Sequence, residues 1–393
     1  PIRFYKMNRA CDDITSFLVM DILERAHAIE ATGRRVIHLE IGEPDFGPPP
    51  PVAEAAVRAI RDGATHYTHS LGLPELREAI CADYLEKYGV AVCPDQVVVT
   101  SGTSPAMLLA FAALLNPGEA VCLTDPHYAC YPNFLRLLGV VPRTVATREE
   151  DGFHFTPELL AGSLDQDGVT ASAVVINSPS NPAGTLIDEA DFAAICRLGP
   201  AVISDEIYHG LVYHGRARSA LEFTDNCFVL NGFSKLYAMT GWRLGYVIAP
   251  KAYVAAMQRL QQNLFICAGS VAQWAGVAAL TEPAVGPYVA EMVATYDKRR
   301  HYLVAELKKL GLGTRVEPTG AFYVLANIKH LGLGSLALAY DILEKVHLGV
   351  TPGIDFGQGG EGYLRLSYAN SLENIEEGLD RLKKYLLAFV NHG

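Results

Sequence analysis

The 393-residue chain has no run of uncharged apolar residues long enough to span a bilayer. Basic charge is scarce: Lys and Arg number 32 against 43 Asp and Glu, a net charge of −11. That balance excludes an extended nucleic-acid surface, which needs clustered Lys and Arg to neutralise phosphates. The eight Cys form no C-x-x-C pair and no Cys/His spacing of the zinc kind, so no metal is expected. They read as reduced thiols, several within apolar runs. No G-x-G-x-x-G or Walker pattern opens a helix, which counts against a nucleotide-binding protein. The arm before Gly42 shows no helix-turn-helix pattern, which counts against a DNA-binding regulator. Tandem repeats and low-complexity tracts are lacking too, apart from the prolines of Gly42-Glu-Pro-Asp-Phe-Gly-Pro-Pro-Pro-Pro51. The opening Pro1-Ile-Arg-Phe-Tyr-Lys6 lacks the basic-then-apolar layout of a secretion signal, and a cytoplasmic protein is the expectation.

Hydrophobic residues, by contrast, make up half the chain, enough for a large interior and two domains. Short apolar runs recur at Gln96–Thr100, Ala120–Thr124, Ser172–Asn177, Ala201–Ser204, Cys227–Leu230 and Leu244–Ala249. Helical patterns separate them, over Pro51–Asp62, Leu73–Tyr88, Ser104–Leu115 and Glu189–Leu198. Continuous apolar strands alternating with helices predict an α/β fold with a mainly parallel sheet covered on both faces. After about Pro287 the pattern changes to a long charged helix through Glu291–Lys309, strands near Ala321–Asn327 and Gly362–Tyr368, and a closing helix over Leu372–Phe389. These predict a smaller α+β domain. The proline-rich segment 42–51 can continue neither a helix nor a central strand and reads as the junction.

In an open parallel sheet the ligand lies beyond the carboxyl ends of the strands. Ser101-Gly-Thr-Ser104 follows the first strand and opens a helix, where free N–H groups and the helix dipole favour an anion; an ordinary N-cap is the plainer reading. Asn177-Ser-Pro-Ser-Asn181 follows another strand and could be a turn alone. Asp205 ends a third and could cap a helix, with Tyr208 three residues on. Lys235 and Arg243 lie in Asn231-Gly-Phe-Ser-Lys-Leu-Tyr-Ala-Met-Thr-Gly-Trp-Arg-Leu-Gly-Tyr246, between two strands. An amine can form a Schiff base with an aldehyde, and a guanidinium can hold a phosphate through paired hydrogen bonds; pyridoxal phosphate has both groups. Arg365, in Tyr363-Leu-Arg-Leu-Ser-Tyr368, is either a solvated strand residue or a buried charge in need of a partner.

With these residues in place, the chain resembles the pyridoxal-phosphate-dependent aminotransferases of class I and II, from Gly42-Glu-Pro-Asp-Phe to Arg365. The resemblance implies fold type I: a seven-stranded, mainly parallel sheet sandwiched by helices in a large domain over 45–288, and a small domain from residues 1–44 and 289–393. By position it implies Lys235, Asp205 and Tyr208 as catalytic residues: Lys235 carries the cofactor and moves protons, and Asp205 faces the pyridine nitrogen. Asn181 and Tyr208 would bond the ring oxygen and Tyr128 would stack on the ring. Ser101, Gly102, Thr103, Ser234 and Arg243 would hold the phosphate, reached by Tyr67 from the other subunit of a homodimer. Arg365 would grip the substrate carboxylate with Asn181 and the Gly42 backbone. Relatives often carry Ser where Gly232 stands, three residues before the lysine. His127 and Trp242, beside motif residues, read as packing.

The expected activity is transfer of an amino group from an L-amino acid to a 2-oxo acid. Relatives that prefer dicarboxylates often have a second basic residue; here Ser104 follows the phosphate loop and Asn263–Ser270 is apolar without Arg. A neutral aliphatic or aromatic donor with 2-oxoglutarate or pyruvate is therefore expected. An aspartate aminotransferase, or a β-lyase or synthase on the same fold, is the alternative.

Overall fold

A computed structural model describes residues 9–390, with side chains for residues 11–388. The opening segment Pro1–Lys6 lies outside the described residues. Seven strands build the large sheet: β1 (Val97–Thr100), β2 (Ala120–Asp125), β3 (Val141–Ala146), β4 (Val169–Asn177), β5 (Ala201–Asp205), β6 (Cys227–Gly232) and β7 (Gly245–Ile248). Their order across the sheet is β1-β7-β6-β5-β4-β2-β3. All neighbours are parallel except β7, which is antiparallel to both β6 and β1. Asp165–Gln166 adds a short eighth strand against β4.

Strands β1, β5 and β7 are buried at every position, as their apolar runs require of a sheet covered on both sides. The helix Thr103–Leu114 buries Phe111 and Leu109 fully against the sheet. Burying such a side chain contributes roughly 1.5–3 kcal/mol. Strand β3 was not legible in the sequence. It lies on the sheet edge, contains Pro142 and Arg143 and is nowhere fully buried, the one setting where a strand proline costs no ladder bond.

The chain beyond residue 285 forms the second layer. The long helix Val285–Lys309 starts six residues earlier than its charged pattern indicates, because Pro287 falls in its first turn, where no N–H partner is needed. Three antiparallel strands follow: β8 (Tyr323–Asn327), β9 (Thr351–Pro352) and β10 (Tyr363–Ser367), with β10 in the middle. Register sets Arg365 opposite both Leu325 and Thr351. The N-terminal part joins this layer, since Ile37–His38 pairs parallel with Leu348–Gly349 and the helix Leu18–Glu30 packs on the same elements. The turn-rich segment before the helix Pro50–Arg61 is pinned to the long helix by Arg299 on Asp45 at 2.8 Å and by Tyr288 donating to Gly47 O at 3.1 Å.

Candidate active site

The strand ends β1, β4, β5 and β6, the second layer and the helix Leu18–Glu30 enclose a cavity of about 680 Å³. Lys235 projects into it from the loop after β6, and its Nζ donates to Gly42 O at 2.5 Å. Burial pushes the Lys235 amine down to about 8, and the nearby Arg365 and Arg243 add to that while Glu43 and Asp205 oppose it. Aromatic rings of Tyr208 and Phe322 lie about the amine at 6.0 and 5.8 Å.

Asp205 closes β5 at the floor of the cavity. Its Oδ2 accepts from the Tyr131 hydroxyl at 2.6 Å and its Oδ1 from Ile207 N at 3.2 Å. Burial pushes this carboxyl up to about 6, against the pull of Tyr131, Ile207 N and Lys235. No helix follows Asp205, so it is not a helix cap. The β4–β5 register places Asn177 beside it, with Asn177 Nδ2 donating to Asp205 O at 2.9 Å. Asn177 Oδ1 then accepts from Asn181 N at 2.8 Å, which holds the Asn181 side chain toward Arg365.

Arg365 is buried on β10, not solvated. Nη1 donates to Asn181 Oδ1 at 2.8 Å, and Nη2 donates to Glu40 O at 2.6 Å and to Thr351 Oγ1 at 3.2 Å. The guanidinium lies 4.3 Å from the Tyr323 ring centre, and the Tyr323 hydroxyl meets that of Tyr208 at 2.8 Å. Arg365 Nε is buried without a hydrogen-bond partner, a group that an anionic ligand would satisfy.

At the opposite end, Thr103 begins the helix after β1. The N-cap is Gly102 at φ 102°, and no side chain caps the helix, so the plainer capping reading of Ser101 and Thr103 does not hold. A side chain at Gly102 would run into the Arg243 guanidinium. Free helix N–H groups and a guanidinium therefore share one space, the cradle a phosphate needs. Gly232 is required by packing: a Cβ there would stand 2.9 Å from Leu244 O and 3.0 Å from Gly245 Cα.

Of the residues singled out in the sequence, Gly42, Thr103, Tyr128, Asn181, Asp205, Tyr208, Ser234, Lys235, Arg243 and Arg365 line this one cavity. Ser101 and Gly102 sit at the head of the Thr103 helix beside it. Tyr67 does not join them and is 84 % exposed. His127 is buried beside Tyr128, and Trp242 packs partly on the core, as expected. The segment Asn263–Ser270 is not part of the lining; Leu264 and Ile266 face outward. The sequence reading missed Tyr131, Asn177, Tyr323, Glu43, Thr240 and the apolar wall of Phe17, Val19, Met20 and Leu23. Of these only Asn177, at a strand end, carried a positional signal.

Such a cavity suits a phosphorylated pyridine aldehyde, and with the sheet topology it defines the class, a pyridoxal-phosphate-dependent enzyme of fold type I. The family model for aminotransferase class I and II matches residues 34–382, and the chain belongs to that family. It is 42% identical over 374 residues to the (5-formylfuran-3-yl)methyl phosphate transaminase of Methanocaldococcus jannaschii, covering 94% of this chain and 97% of that protein. It is 37% identical over 380 residues to the valine–pyruvate aminotransferase of Mycobacterium tuberculosis, covering 95% of this chain and 97% of that one. The Thermus thermophilus aspartate aminotransferase with maleate superposes with a TM-score of 0.92 at 34% identity, over 97% of this chain and 100% of the other. The chain is thus an aminotransferase that uses pyridoxal phosphate and takes amino-acid and keto-acid substrates. Among the described residues no helix is long and apolar enough to cross a membrane, and no His, Cys, Asp and Glu cluster could hold a metal ion.

Proposed function

We propose that this aminotransferase takes a neutral aliphatic or aromatic L-amino acid as donor and 2-oxoglutarate or pyruvate as acceptor. The carrying observation is the lining of the cavity. Its outer wall is Phe17, Val19, Met20, Leu23, Ile41 and Met107, and its cations are Lys235, Arg243 and Arg365. Once a phosphate and an α-carboxylate have each taken a guanidinium, none of the lining arginines remains for a distal carboxylate.

Pyridoxal phosphate, when bound, supplies an aldehyde that condenses with amines and a ring that withdraws electrons from the substrate α-carbon. The roles proposed for the protein's own residues follow from their chemistry. Lys235 would be the amine that takes the aldehyde; freed by the incoming amino group, it would be the base that removes the α-proton and the acid that delivers it to C4′ of the cofactor. Its lowered pKa keeps a larger neutral fraction near neutral pH. Asp205 holds a proton at the ring nitrogen, and its buried carboxylate gains the positive partner that burial otherwise denies it. Tyr208 and Asn181 donate to the ring oxygen, and Tyr128 flanks the ring. Ser101, Gly102, Thr103, Ser234 and Arg243 bind the phosphate. Arg365, with Asn181 and the Gly42 backbone, fixes the substrate carboxylate and hence the direction in which the α-proton points.

A homodimer completes the proposal. Tyr67 is exposed, as are Leu264 and Ile266. The two segments are adjacent, because Gln273 donates both to Thr68 Oγ1 at 2.9 Å and to Ala268 O at 3.0 Å. A second copy covering this surface would bring its cavity within reach of Tyr67. The proposed domain division is 45–288 for the large domain, with 1–44 and 289–393 forming the small one.

The test is a donor panel with each acceptor. Valine, leucine, phenylalanine and tyrosine are expected to include a donor whose kcat/KM exceeds that of aspartate by about tenfold or more. Aspartate as the fastest donor would overturn the assignment.

A further inference from the structure

Glu40 is fully buried, yet it neither lines the cavity nor takes part in the proposed chemistry. A buried carboxylate is costly unless it is paired and hydrogen-bonded. Here one oxygen, Oε1, lies 2.7 Å from His38 Nδ1, and Oε2 has no hydrogen-bond partner. The other ring nitrogen of His38 lies 3.2 Å from Glu30 Oε1, at the C-terminal end of the helix whose first turn lines the cavity. Two carboxylates therefore hold one imidazole. The hydrogen bond to Glu40 is the main reason that His38 is pushed up to about 9.

The backbone around this pair carries the site. Leu39 O accepts from Ser367 N at 2.7 Å. Glu40 O accepts from Arg365 Nη2 at 2.6 Å and from Thr351 Oγ1 at 3.1 Å. Gly42 O accepts from Lys235 Nζ at 2.5 Å. One short segment thus presents carbonyls to both the amine and the guanidinium that face the cavity. Its side-chain anchor is the Glu40 carboxylate, and the space for that anchor is made by a missing side chain: a Cβ at Gly349 would run into both Glu40 oxygens.

We propose that Glu40, held by His38, is a positioning residue for the substrate-carboxylate clamp. Its buried side chain fixes the Glu40 carbonyl against Arg365 Nη2, and that bond sets the plane of the guanidinium together with Asn181 Oδ1. The inference rests on the reading of Arg365 as the group that binds the α-carboxylate. Loss of the charged pair frees the segment 38–42, lets the guanidinium turn, and weakens every ligand that enters through its carboxylate. The amine of Lys235 still reaches the cofactor, so cofactor binding is spared, while a turned guanidinium that no longer aligns the α-proton lowers kcat as well as raising KM.

The holoenzyme tests this with Glu40→Gln, His38→Gln and, as control, Arg365→Lys. Three readouts are taken: kcat and KM for the best donor, the Kd of hydrocinnamate (a carboxylate with no amine), and the absorbance of the bound cofactor. Glu40→Gln and His38→Gln are expected to raise both KM and the hydrocinnamate Kd about five- to tenfold, with kcat falling by a smaller factor and the absorbance unchanged. If Arg365→Lys weakens hydrocinnamate but neither of the other variants does, the positioning role is overturned. A fall in kcat with unchanged KM and Kd overturns it too, since that marks a structural role only. If Arg365→Lys itself leaves hydrocinnamate unaffected, the reading of Arg365 fails instead. Should Glu40→Gln not fold, His38→Gln, at a partly exposed position, carries the same comparison.

Discussion

Lys235 and Asp205 are both shifted toward neutrality by burial, and the two shifts meet different needs. In its proposed role the lysine must be an uncharged amine to attack an aldehyde, and burial, which pushes it down to about 8, brings that form within reach at neutral pH. The sign follows directly: the neutral fraction rises as pH rises through about 8, so the rate at which cofactor-free protein captures pyridoxal phosphate should climb between pH 7 and 9 and then level off. A capture rate that is flat over that interval would contradict the environment described for Lys235. The aspartate is pushed up to about 6 by burial, and a cationic ring nitrogen beside it would draw it back down. Lys235, Asp205, Asn181 and Arg365 were legible in the sequence because each follows a strand or lies within a motif. Tyr131 and Tyr323 were not. Tyr131 lies 74 residues from the Asp205 it bonds, and Tyr323 lies 115 from Tyr208, so only folding brings them together.

At the scale of elements, the helix Leu18–Glu30 forms the apolar wall of the cavity but has no capping side chain of its own, since Phe17 stands at its N-cap. Asp355, from the second layer, accepts from Leu18 N at 2.8 Å and from Val19 N at 3.2 Å in its place. Asp355→Ala should therefore loosen the first turn by about 1 kcal/mol, the usual worth of an N-cap. Hydrogen exchange at residues 18–22 would report this as faster exchange in Asp355→Ala, with partial recovery in Asp355→Asn; exchange equal to that of the parent would show that the cap contributes nothing. Elements were read from the sequence where burial was continuous, as in β1, β5 and β7. Strand β3 escaped because an edge strand with Pro142 and Arg143 has no apolar pattern to read. The wall helix escaped because its importance lies in what it faces.

For the whole molecule, six strands of the large sheet follow from periodicity, while the seventh and the joining of the N-terminal part to the second layer were implied only by the family resemblance; the cavity forms where the two layers meet. What the sequence could not supply is the closure of that cavity by distant side chains, or the exposure of Tyr67, where a second copy is proposed to dock. One amine in this cavity, Lys235, is proposed to carry the cofactor. The most direct test is to reduce the cofactor-loaded protein with borohydride and map the labelled peptide. A single label on Lys235 is expected, in the peptide that also contains Arg243; a label on any other lysine would overturn the assignment.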